Sequence, residues 1–66
     1  MIWSIHYEGY YYCDVPGFSF QVGEWHHGTW LLKYWKRGTT GSTWVTCETL
    51  QDAFLMADKI AKEEVV

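Results

Sequence analysis

The chain has few of the residues that define several protein classes. Its 66 residues include two cysteines, one proline and five basic residues, and no apolar run is long enough to span a membrane. The segment after Met1 lacks the basic start and the apolar core of a signal peptide. We therefore expect a cytoplasmic protein in which Cys13 and Cys47 are reduced. A disulfide between them would require that they lie on neighbouring strands.

The sequence also lacks the patterns that build metal or catalytic centres. It contains no Cys-x-x-Cys pair, and the adjacent His26 and His27 point to opposite sides of an extended segment. Cys13 or Cys47 could pair with His6 as nucleophile and base, but so short a chain leaves little room for a pocket that excludes water. We expect no enzymatic activity, no metal and no cofactor.

Aromatic residues, in contrast, are abundant and unevenly distributed. Twelve of the thirteen lie at or before Trp44, and only Phe54 follows. A domain of this size has a small core, and each aromatic side chain fills a large part of it. Some of these side chains must therefore face outward, where Tyr and Trp often form binding surfaces. The excess predicts a protein-binding face or a homodimer interface.

Alternation of apolar and polar residues predicts strands over residues 2–7, 10–15, 18–22, 29–35 and 43–47. The first two could pair as a hairpin or form one bent strand with Gly9 at a bulge. Turns or loops are predicted at Pro16-Gly17, over residues 23–28 and over residues 36–42. The predicted shared faces are Trp3, Ile5 and Tyr7; Phe18, Phe20 and Val22; Trp30, Leu32 and Tyr34; Leu31, Lys33 and Trp35; Thr43, Val45 and Cys47; and Trp44 and Thr46.

A helix is predicted after the last strand. Thr49 is a favourable N-cap residue, and Asp52 in the first turn suits the helix dipole. The apolar residues recur at helical spacing and form one stripe, which comprises Leu50, Ala53, Phe54, Ala57, Ile60 and Ala61. The sequence thus predicts a single α+β domain over residues 1–66. It would consist of an antiparallel sheet of three to five strands over about 2–47, with one C-terminal helix over about 50–63 on one face.

The net charge of −3 argues against a dedicated nucleic-acid-binding protein, which usually carries a basic excess. Local patches matter more than the sum, however, and Lys33, Lys36 and Arg37 cluster beside Trp35. Such a patch could contact phosphates and stack on a base. The favoured alternative is a hairpin tip that charge keeps solvated.

Residues 28–62 carry a Gly-Thr-Trp start, a strand, a Lys-Arg-Gly turn, a second strand and an alanine-spaced helix. This order resembles the DNA-binding domains of plant APETALA-type factors and the arm-binding modules of tyrosine recombinases. In those families a three-stranded sheet enters the major groove and a helix backs it. The resemblance implies a small DNA-binding or recombination accessory module that would use Trp30, Lys33, Trp35, Lys36, Arg37 and Trp44. Those families carry several sheet-face arginines, whereas this chain has only Arg37.

In overall character, a short acidic chain with no catalytic cluster and many aromatics resembles the small bacteriophage proteins that inhibit host machinery, anti-CRISPR proteins among them. The resemblance implies a stoichiometric inhibitor that covers a site or imitates nucleic-acid charge. Its partner would be a host protein or ribonucleoprotein complex. The candidate contact residues are the carboxylates Glu24, Glu48, Asp52 and Asp58 and the aromatics Tyr11, Trp25, Trp35 and Trp44. A structural or dimerisation domain remains an alternative, and the chain could be a monomer or a homodimer.

Overall fold

A computed structural model describes residues 2–63, so Met1 and residues 64–66 of the expected domain lie outside the described part. It contains an antiparallel sheet of five strands and one helix, which confirms the predicted α+β fold. The sheet is a meander, because strands that are consecutive in sequence are neighbours in space. The elements are β1 (Ser4–Ile5), β2 (Tyr11–Val15), β3 (Phe18–His26), β4 (Thr29–Lys36), β5 (Thr43–Cys47) and α1 (Leu50–Glu63).

The predicted turn between β2 and β3 is present. Val15 pairs with Phe18, so only Pro16 and Gly17 connect the two strands. The proline ring presets its own backbone angle, and Gly17 adopts a φ of 95°, which favours a residue without a Cβ. This turn fixes the register in which β2 and β3 place their alternate side chains on the two faces.

Strand β3 continues to His26, so the loop predicted over residues 23–28 is wrong. Gly23 pairs with Leu31, and the ladder between β3 and β4 extends to the turn after His26. A register shift of one residue makes Trp25 the extra residue of a β-bulge. Cross-strand pairing with β4 therefore outweighs the turn preference of the glycine and the polar residues around it.

The first strand is shorter than predicted, because residues 2–7 include only the two-residue strand β1. The His6 N–H donates a hydrogen bond of 2.7 Å to the Tyr10 carbonyl, and the Gly9 N–H donates one of 2.8 Å to the His6 carbonyl. These two bonds close a tight turn. Strands β1 and β2 consequently form the hairpin rather than a single bent strand.

The core lies between the sheet and α1. Its buried residues come from β3, β4 and α1 and are Phe18, Phe20, Val22, Leu32, Ala53 and Ala57. The sheet alternation predicted for β3, β4 and β5 is confirmed by the strand register. Trp3 packs on this core with its ring centroid 4.5 Å from that of Phe54, whereas Tyr7 is 90% exposed. The face predicted to unite Trp3, Ile5 and Tyr7 is wrong, because the chain turns after β1.

Helix α1 begins and packs as the sequence predicts. The Asp52 N–H donates to the Thr49 hydroxyl oxygen at 3.0 Å, which satisfies one unpaired donor of the first turn. Ala53 and Ala57 are completely buried. Because these side chains are small, α1 lies close to the sheet, where it packs against β3, β4 and β5.

Candidate functional site

The sheet has one face under α1 and one face that no described element covers. We call the second one the open face. Strand alternation places on it the residues between those of the core, and it is lined by Tyr10, Tyr12, Asp14, Ser19, Gln21, Gly23, Leu31, Lys33, Trp35, Trp44 and Thr46. Tyr12 is 39% exposed and Trp44 is 58% exposed. An exposed aromatic surface of this kind is typical of a binding site.

Tyr10 is held in place on the open face from two sides. The His6 ring stacks on it, with a centroid distance of 4.4 Å and an interplanar angle of 10°. On the sheet side, a Cβ built on Gly23 would lie 3.5 Å from the Tyr10 Cβ, so the aromatic residue packs over a backbone that has no side chain. His6 is fixed in turn, because its Nδ1 accepts a hydrogen bond of 3.1 Å from the Glu8 N–H.

Two adjacent depressions run across the open face. The first has a volume of about 370 Å³, and its lining includes Tyr12, Asp14 and Trp35. The second has a volume of about 200 Å³, and its lining includes Trp25 and Lys33. Tyr10 and Gln21 line both depressions, so the two together form one shallow groove. A shallow groove of this kind suits a polypeptide surface better than a small molecule, which is usually bound in an enclosed pocket.

Lys33 links two tryptophans on the same face. Its Nζ lies 4.9 Å from the centroid of Trp35 and 5.2 Å from that of Trp44. Trp44 is directly opposite Lys33 in the ladder between β4 and β5, and its indole N–H donates to the Ser42 hydroxyl oxygen at 3.0 Å. The ammonium group is attracted to both rings, which orders the side chains before any partner binds.

The structure places the predicted aromatic contact residues on two different faces. Trp25, Trp35 and Trp44 lie on or beside the open face. Tyr11 lies under α1, where its ring meets that of Phe54 edge to face at 5.5 Å. Tyr11 is therefore positioned to support the core, apart from the three tryptophans.

The four candidate carboxylates are dispersed. Glu24 lines the second depression, whereas Glu48 follows β5 and the other two belong to α1. Asp52 and Asp58 are six residues apart, which places them about 120° apart around a helix. Asp58 also forms an ion pair of 3.0 Å with Lys62. Only Glu24 lies beside the aromatic groove.

The three basic candidates are likewise separated. Lys33 is on the open face, while Lys36 pairs with Phe18 at the end of β4 and lines a depression next to Ile60. The Arg37 Nε–H donates to the Val15 carbonyl at 3.4 Å, which holds the guanidinium beside the turn between β2 and β3. One cation, Lys33, is therefore available within the groove.

The cysteines are both free. Cys13 lies on β2 and Cys47 on β5, with two strands between them, so three strand spacings alone separate them by at least roughly 14 Å. A disulfide requires the Cα atoms to lie within about 7 Å, which excludes a bond between these residues. Burial raises the pKa of both thiols above the ordinary value of 9.0, with a smaller contribution from the nearby Asp14 and Asp52 respectively.

Tyr10 and Tyr12 line the groove, whereas Tyr11, the tyrosine predicted as a contact residue, does not. The composition of β2 contains the information needed to choose between them. Cys13 is apolar and Asp14 is charged, so alternation assigns Tyr11 to the buried face and Tyr12 to the solvent face. The contribution of His6 depends on the tight turn after β1, which Glu8-Gly9 indicates, and on the stacking of His6 on Tyr10, which no sequence pattern indicates.

Among residues 2–63, no group of three or more His, Cys, Asp and Glu side chains is placed to hold a metal ion. Within the same part of the chain, no helix is long and apolar enough to cross a membrane. Comparison of the chain with protein-family models, with curated proteins and with solved structures gave no match.

Proposed function

We propose that this chain is a protein-binding module that uses the open face of its sheet. The observation that supports this proposal is the ordered aromatic groove on a face that no described element covers. Tyr10 is stacked by His6, and Lys33 lies near two tryptophan rings, so little side-chain entropy remains to be lost on binding. Rigid Tyr and Trp side chains are the residues that most often dominate the energetics of protein interfaces.

The charge of the open face favours a protein partner over a nucleic acid. Lys33 is its single cation, and Asp14 and Glu24 line the two depressions. Protein interfaces are depleted of charge at their centre and enriched in aromatics, whereas nucleic-acid sites neutralise several phosphates. The groove, which is rich in aromatics and has one cation, has the composition of a protein interface.

The small acidic character of the chain supports a more specific role. We infer a stoichiometric inhibitor of phage or mobile-element type, similar to anti-CRISPR proteins, that covers a site on a nucleic-acid-handling complex in the host cytoplasm. Its activity rests on the aromatic groove. Because Glu48, Asp52 and Asp58 do not line that groove, imitation of DNA charge is a secondary contribution at most in this proposal.

A titration of RNA-guided bacterial nucleases tests this role. Purified protein is added to a panel of DNA-cleavage reactions, and cleaved DNA is measured against the number of protein equivalents. We expect one complex in the panel to lose activity near one equivalent. The double variant Tyr12→Ala, Trp35→Ala should require at least about tenfold more protein, because both anchors of the first depression are gone.

Leu55→Ala is the matched control, since Leu55 is a large apolar residue on α1 that is 59% exposed. This variant should inhibit as well as the unaltered chain. Equal loss in the control and the groove variant would contradict the role of the open face. A panel in which no complex is inhibited would contradict the inhibitor assignment.

A second candidate function, nucleic-acid binding through the sheet, is favoured by one observation. Lys33 lies near both Trp35 and Trp44 on the open face. A cation beside aromatic rings on which bases can stack is able to bind single-stranded nucleic acid. Titration with random DNA at low salt, followed by tryptophan fluorescence, distinguishes the two functions. Salt-reversible binding that Lys33→Gln weakens would support this candidate, and unchanged fluorescence would exclude it.

A further inference from the structure

The two edges of the sheet differ in how they are protected. Strand β1 forms one edge and contains two residues, which is too short to pair stably with another strand. Strand β5 forms the other edge over five residues, and no other strand in the described part of the chain pairs with its outer side. An edge of this length exposes backbone N–H and C=O groups that can pair with a further strand.

The composition of β5 offers none of the usual protection against such pairing. Its sequence, Thr-Trp-Val-Thr-Cys, contains no charged residue and no proline, and its register with β4 is free of bulges. Each of the residues Thr43, Trp44, Val45 and Thr46 is also β-branched or aromatic, which favours a strand. The segment therefore combines a strong strand preference with an unprotected edge.

We propose that β5 pairs with β5 of a second copy of this chain in an antiparallel, two-fold symmetric dimer. The two-fold axis passes through Val45, so that Val45 faces its own copy and Trp44 faces Thr46 of the partner subunit. This register uses all five residues and keeps open-face residues opposite open-face residues. The two sheets join into one, with both helices on the same side.

The charges near this edge permit self-association despite the net charge of −3 per chain. Glu48 is the first charged residue after β5, and in this register it lies opposite Ser42 of the partner subunit. The two copies of Glu48 are then at opposite ends of the paired strands, roughly 20 Å apart and beyond the physiological Debye length of about 8 Å. A second copy therefore meets an edge without like-charge repulsion.

The dimer would also extend the open face. Trp44 lies next to the axis and is 58% exposed, so the two grooves would form one continuous surface across both copies. Two grooves on one rigid sheet can engage a partner at two sites at once, which strengthens binding through effective concentration. The pairing itself depends on β5 alone and does not require the proposed inhibitory function.

Sedimentation equilibrium of the full chain is the first test. Measured from about 1 μM to about 1 mM, the average mass should rise toward that of two chains. A mass that stays at one chain throughout this range would overturn the proposal, whatever the result of the inhibition experiment. A mass that rises beyond two chains would also overturn it, because a two-fold pair uses both free β5 edges and then closes.

Cysteine cross-linking tests the register. In a Cys13→Ala, Cys47→Ala background, Val45→Cys should form a disulfide-linked dimer under mild oxidation, because directly opposed residues lie within about 5.5 Å. Thr46→Cys is the matched control. Thr46 is more exposed than Val45, yet its two copies would be about 8 Å apart, which is too far for a disulfide.

We expect cross-linking of Val45→Cys to be at least about tenfold faster than that of Thr46→Cys. Faster linking of Thr46→Cys would show that random collision of exposed thiols controls the rate, and it would overturn the proposed pairing. Circular dichroism and the thermal midpoint of each variant verify that both are folded. A variant that fails to fold is replaced by Val45→Cys or Thr46→Cys in the Cys47→Ala chain, where the same comparison applies.

Discussion

Tyr11 and Tyr12 are adjacent and chemically identical, yet they have different roles because successive strand residues point to opposite faces. Tyr11 packs on Phe54 under α1, whereas Tyr12 lines the open groove. Whether an aromatic side chain packs in the core or lines the open face therefore depends on whether its position in the strand is odd or even. The aromatic excess is evident from composition, but choosing among the three consecutive tyrosines requires the face of Cys13 and Asp14.

The same parity predicts different costs of truncation. Phe20 is 1% exposed, so Phe20→Ala should lower the free energy of unfolding by about 3–5 kcal/mol through lost burial and a cavity. Tyr12→Ala on the open face should cost about 1 kcal/mol or less. Chemical denaturation followed by circular dichroism measures both values. Similar losses for the two variants would contradict the assignment of the faces.

The two cysteine thiols predict that the stability of the fold depends on pH in the alkaline range. Their pKa values are raised in the folded chain, so the unfolded chain releases these protons at a lower pH. As pH rises past the ordinary thiol pKa of 9.0, the free energy of unfolding therefore falls. Denaturation of the chain and of its Cys13→Ala, Cys47→Ala variant at neutral and alkaline pH measures this contribution. The variant should show the smaller decline, and an equal decline would exclude the thiols as its cause.

At the scale of elements, α1 could be predicted more accurately than the ends of the strands. Its cap, its dipole charges and its apolar stripe are all local features of the sequence. The end of β3 depends instead on pairing with residues of another strand. Gly23 illustrates the difference, because its local preference suggests a loop while its partner Leu31 extends the ladder.

The helix cap provides a prediction at this scale. Thr49→Ala removes the hydroxyl that accepts the Asp52 N–H, so the free energy of unfolding should fall by about 1 kcal/mol. Thr49→Ser keeps an equivalent oxygen and should retain most of the stability. Thermal or chemical denaturation monitored at the helical circular dichroism band gives both values. Equal losses in the two variants would show that the hydroxyl does not act as a cap.

The whole molecule has a simple asymmetry, since a single helix can cover only one face of a five-stranded sheet. On that side the small core is filled by the buried residues Phe18, Phe20, Val22 and Leu32. On the other side, Tyr10, Trp35 and Trp44 are ordered by ring stacking and cation–π contacts rather than by burial in the core. A chain that keeps so much aromatic surface uncovered is explained most directly by a partner that covers it.

Site-specific photo-crosslinking measures this central claim directly. A photoreactive amino acid replaces Tyr12 on the open face or Leu55 on α1, and each variant is irradiated in bacterial cells that contain the nuclease complex identified by the proposed inhibition titration. We expect a discrete adduct with a subunit of that complex from position 12 and no adduct from position 55. Adducts from position 55 alone would contradict it, because the partner would then bind the helix and leave the aromatic groove uncovered.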